Sequence, residues 1–63
     1  MTHRFVTEYA NYLTRFLRSA TGLNPARRDA MLREVERVLN AYKRDYITVV
    51  EAMRLLSDVP HIR

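Results

Sequence analysis

Apolar residues between Arg4 and Ala20 recur at helical spacing. Phe5, Val6, Tyr9, Leu13, Phe16, Leu17 and Ala20 fall on one side of a helix, and Arg4, Thr7, Asn11, Thr14, Arg15 and Arg18 on the other. The pattern predicts a first helix over about residues 4–20, with Thr2 available as its N-cap and Met1 to His3 as a frayed end. Within it, Val6, Tyr9, Leu13, Phe16 and Ala20 alternate by three and four residues, a coiled-coil seam that Phe5, Ala10 and Leu17 widen on both sides. Phe5, Tyr9, Leu13, Phe16 and Leu17 are therefore expected in the core or the main interface, and Tyr12 at its margin with the hydroxyl in water.

Gly22, the single glycine, stands where this helix should stop, because glycine takes the left-handed conformation of a helix C-terminus without a Cβ penalty. Leu23 can then fold back on Leu17. Asn24-Pro25 reads as an N-cap and first-turn pair, so a second helix is expected over about 25–43, its stripe made of Met31, Leu32, Val35, Val38, Leu39 and Tyr42. So short a link predicts antiparallel neighbours, a helical hairpin. The outer face of this helix offers Asp29–Arg33, Arg33–Glu36 and Glu34–Arg37 pairs at helical spacing, each worth a few tenths of a kcal/mol, and reads as solvated.

Thr48 and Glu51 form a capping-box pair, with Ile47 and Ala52 placed as a hydrophobic staple, and open a third helix over about 48–57. Asp45 is expected to carry the turn before it in the left-handed region; a helix running on through residues 25–57 is the alternative. Pro60 to Arg63 reads as a loose tail. The segments Val38-Leu39-Asn40-Ala41-Tyr42 and Tyr46 to Leu56 resemble the short bacterial helical-pair modules called SHOCT-like domains, in which a glycine-containing turn precedes an isoleucine-threonine step and an acidic-capped helix ending in paired leucines. This sequence has Asp45-Tyr46 where that family has glycine. The resemblance covers about a third of the chain. It implies a non-catalytic association module and transfers no binding residue.

Together these elements predict one all-α domain spanning residues 1–63, a helical hairpin with a short third helix. A chain of about 60 residues buries only roughly 60% of its unfolded surface, and this one has no cysteine to staple it. Association with a second copy is the remaining source of stability, so a homodimer pairing two hairpins into a helical bundle is expected. Lack of cysteine also fits a reducing compartment, and apolar runs of two or three residues make neither a signal peptide nor a membrane span, so a cytoplasmic location is expected.

Charge sharpens the picture. Residues 1–28 carry five arginines against Glu8 alone, while residues 29–63 balance six basic with six acidic groups, so the net +4 is all N-terminal. Ten of the eleven basic residues are arginine, which favours forked contacts to phosphate or carboxylate but follows equally from a nucleotide-composition bias. Arg4, Asn11, Arg15 and Arg18 on the polar back of helix 1, with Arg27 and Arg28 just past the turn, are the candidate nucleic-acid contacts. The third helix, however, offers only Glu51 and Arg54 outside its apolar positions, which does not suit a groove-reading helix. A basic amphipathic helix could also lie on an anionic membrane with Phe5, Tyr9, Tyr12 and Phe16 as anchors, although such a stripe is more often core. Ser19, Ser57, His3 and His61 show no spacing that brings nucleophile and base together, so neither an enzyme nor a cofactor or metal site is expected. The favoured function is an interaction or regulatory protein that acts by self-association and by binding a protein partner whose identity the sequence does not reveal. Nucleic-acid binding is the alternative.

Overall fold

Three helices, α1 (Thr2–Ser19), α2 (Pro25–Lys43) and α3 (Val49–Asp58), are followed by a single 3-10 turn, Val59–His61. The computed structural model describes the backbone of residues 2–61 and the side chains of residues 4–61. The fold is all-α. Each helix packs on the other two, and the 3-10 turn packs on α2 and α3.

Local chemistry sets the boundaries. The Asn24 side chain accepts from the Ala26 amide at 2.8 Å, and Pro25 occupies the first turn where its missing N–H costs nothing. The Thr48 hydroxyl accepts from the Glu51 amide at 3.2 Å and caps α3. Gly22 has φ +79°, and a Cβ there would meet nothing within 4 Å, so backbone conformation, not space, is what requires glycine.

The α2–α3 connection is a true break, which removes the continuous-helix alternative. Asp45 takes φ 62°, the Asp45 amide donates to the Tyr42 carbonyl at 3.1 Å, and the Tyr46 amide donates to the Ala41 carbonyl at 2.9 Å. Those paired bonds across a left-handed residue make a Schellman stop, with aspartate in the position glycine usually fills. Two sequence expectations need correction at the ends. Helix α1 already includes Thr2, so that residue lies inside the first turn instead of capping it; the rest of the expected frayed end includes Met1, outside the described residues. The expected loose tail begins as ordered structure: α3 runs to Asp58, and Val59 in the 3-10 turn is 0% exposed. Proline at 60 ends the α-helix but fits a tight turn, and that turn swings Val59 into the core. Ile62 and Arg63, the end of that tail, lie outside the described residues.

All three helices bury residues at alternating steps of four and three. Helix α1 buries Val6, Ala10, Leu13 and Leu17; α2 buries Met31, Val35, Val38 and Tyr42; Ala52 and Leu56 of α3 continue into Val59. Shared spacing lets three seams interdigitate around one core. Leu23, Leu32, Leu39, Ile47 and Met53 pack around its edge.

Candidate interaction surface

Helix α1 bears a second apolar row beside the buried one. Phe5, Tyr9, Tyr12 and Phe16 repeat the same four-three-four spacing, displaced by one residue, which turns the row by roughly 100° about the helix axis. The structure treats the two rows oppositely. Phe5 is 70% exposed, Tyr12 62% and Phe16 52%, whereas Leu13 and Leu17 are buried. Phe5 and Phe16 therefore do not enter the core of the single chain, and of the five expected core or interface positions only Leu13 and Leu17 are fully buried. Tyr9 sits at the boundary, half-buried against the core, with its hydroxyl 3.5 Å from Ser57 Oγ on α3. The Tyr9 and Tyr12 rings stack with centroids 6.4 Å apart and planes at 28°.

The reason for the difference is the width of the apolar stripe. A seam centred on Val6, Tyr9, Leu13, Phe16 and Ala20 averages the two rows, and packing selects one of them, turning the buried face toward Val6 and Ala10. With aromatic side chains of roughly 150–250 Å² each, these exposures leave roughly 370 Å² of Phe5, Tyr12 and Phe16 surface in water. That lies within the range of the largest apolar patch on a typical monomer, a patch that is often functional.

The basic positions separate into different roles. Arg4 Nε donates to Glu8 Oε1 at 2.9 Å, an exposed i,i+4 pair. Arg28 has a structural role, since its Nη2 donates to the Ala20 carbonyl at 2.6 Å and so satisfies a carbonyl at the end of α1. Only the structure reveals this clamp, because it joins residues across the Gly22 turn. Asn11, Arg15 and Arg18 are exposed on α1, and Arg27 is exposed at the start of α2 with contacts of its own. Asn11, Thr14 and Arg18 also border a groove of about 300 Å³ facing Leu32, Glu36 and Leu39 of α2. A shallower depression of about 240 Å³ is formed by Glu8, Asn11, Tyr12 and Arg15. On α2, the Glu34–Arg37 pair forms at 2.6 Å, as its spacing predicts.

Among the described residues, no three His, Cys, Asp or Glu side chains gather as a metal site, and no helix is long and apolar enough to cross a membrane. Two further large apolar residues, Tyr46 and Val50, are exposed at the α2–α3 connection. Comparison with protein-family models, curated proteins and solved structures finds no match to this chain.

Proposed function

We propose that this protein is a non-catalytic helical interaction module that works by self-association and protein binding through the aromatic row of α1. The observation that carries the reading is the exposure of Phe5, Tyr12 and Phe16 on one face of a helix whose other apolar row already completes the core. Exposed rings cost solvation free energy and invite aggregation, so their alignment at coiled-coil spacing fits a surface that is covered in the working state. In this reading α1 and α2 form an antiparallel hairpin, α3 closes its open side, and the assembly is a helical bundle. An association module of the SHOCT-like kind is compatible with it, since Asp45 at φ 62° supplies the left-handed turn for which that family uses glycine.

Sedimentation across a concentration series tests the reading. The wild-type chain is expected to gain mass with concentration, and the Phe5→Ser/Tyr12→Ser/Phe16→Ser triple variant to remain monomeric with unchanged far-UV circular dichroism. Equal behaviour of the two proteins would remove the aromatic row as the contact surface.

One observation favours a second reading. Asn11, Arg15 and Arg18 are all exposed on α1, a spacing suited to phosphate contacts. Against it, Arg4 is paired with Glu8 and Arg28 is held by the Ala20 carbonyl, which thins the patch the sequence offered. A salt titration on generic duplex DNA and RNA decides: binding at low salt lost steeply as salt rises supports it, and no binding at low salt ends it.

A further inference from the structure

We infer that the occupant of the aromatic row is a second copy of this chain, its α1 running antiparallel to the first across a two-fold axis. The inference rests on the self-association proposed above and adds the register.

Phe5, Tyr9, Tyr12 and Phe16 form a row that is palindromic in residue class, with phenylalanine at both ends and tyrosine at the two inner positions. An antiparallel two-fold pairing therefore sets Phe5 opposite Phe16 of the second copy, and Tyr9 opposite Tyr12 of the second copy. Like faces like in each layer. Rings of matched size fill the space evenly along the seam, and the two inner layers keep the hydroxyls near the rim.

Charge on the flanks distinguishes this arrangement from its parallel counterpart. Glu8 and Arg15 each lie one residue before a row position, Tyr9 and Phe16, and so occupy the same flank of α1. In an antiparallel pair that flank runs beside its own copy, and the register above brings Glu8 next to Arg15 of the second copy, twice by symmetry. The opposite flank is Val6 and Leu13, 0% and 3% exposed and already buried in the chain's own core. A parallel pair sets each flank against the opposite one, so Glu8 and Arg15 would find no charged partner there. Both are solvent-exposed, and the existing Arg4–Glu8 pair is compatible with a second contact to the other carboxylate oxygen. The depression at Glu8, Asn11, Tyr12 and Arg15 has the i, i+3, i+4, i+7 outline of a hole that receives a knob from a facing helix. Its midpoint, between Asn11 and Tyr12, lies within about one residue of the two-fold axis, where Tyr9 of the second copy, opposite Tyr12 in this register, is the nearest large side chain.

The area sets the strength. Roughly 370 Å² of ring surface per copy, plus its polar rim, stays below the roughly 800 Å² per partner of a standard stable interface, so the dimer is of the weak, reversible kind.

Cysteine cross-linking reads the register directly. Glu8→Cys and Arg15→Cys single variants are mixed and mildly oxidised at concentrations where the wild type dimerises. The expected main product is the hetero-linked dimer, one chain bridged at position 8 and the other at position 15, in excess over either self-linked product. Circular dichroism on each variant confirms that the helices persist. In parallel, Glu8→Arg and Arg15→Glu should each weaken dimerisation about tenfold by turning two attractions into repulsions, and the double exchange should restore it. An excess of dimers self-linked at either position, or no rescue by the double exchange, would overturn the register while leaving self-association standing. A wild-type chain that stays monomeric at every concentration would overturn self-association itself.

Discussion

The two apolar rows of α1 share a helix and a spacing, yet one is buried throughout and the other stands mostly in water. Val6, Ala10, Leu13 and Leu17 are at most 3% exposed, while Phe5, Tyr12 and Phe16, displaced by a single residue, are at least half in water. Periodicity alone cannot rank them. Packing against the other helices does: Ala10, 1% exposed, lets neighbouring backbones approach closely, and aliphatic side chains interdigitate with the equivalent rows of α2 and α3. The inner row thus forms the core, and the outer row is left largely in water.

That division can be broken from either side. The largest effect is expected for Leu13→Asp, which buries an unpaired charge at a 3% exposed site; a loss of at least about 4 kcal/mol should abolish cooperative melting in so small a domain. A wild-type melting curve for that variant would show the inner row to be misassigned. Leu17→Ala, 2% exposed in the wild type, should cost about 3 kcal/mol, seen as a fall in urea midpoint at constant m-value. Asp45→Gly lies outside both rows, relieves a left-handed aspartate at φ 62° and removes a negative charge from the C-terminal end of α2. It should raise monomer stability by about 1 kcal/mol without changing the sedimentation profile. The smallest effect belongs to Phe16→Ser, adjacent to Leu17 but 52% exposed: measured at dilution, its stability should match the wild type within about 0.5 kcal/mol. Similar losses for Leu17→Ala and Phe16→Ser would erase the distinction between the rows.

Part of the site is visible in the chain as written. The Asn24, Thr48 and Asp45 positions act as their chemistry implies, because caps and stops are made by residues within five positions of one another. The aromatic row is likewise visible as a pattern, since ring spacing on a helix depends only on the helix. Its exposure is not, nor is the use of Arg28 to hold the Ala20 carbonyl. Val59 shows the same limit: a residue beside a helix-ending proline carries no local mark of being core, yet it is 0% exposed once the 3-10 turn brings it against α2 and α3.

By itself, then, the sequence determined where the two breaks between the helices fall and which residues are apolar enough to be hidden, because hydrogen-bonding caps and helical periodicity act over a few residues. Tertiary structure alone decided which of two equally spaced rows on α1 is covered. That choice depends on how closely α2 and α3 can approach, a property of facing side-chain volumes far apart in the chain, which a single helix read on its own does not contain.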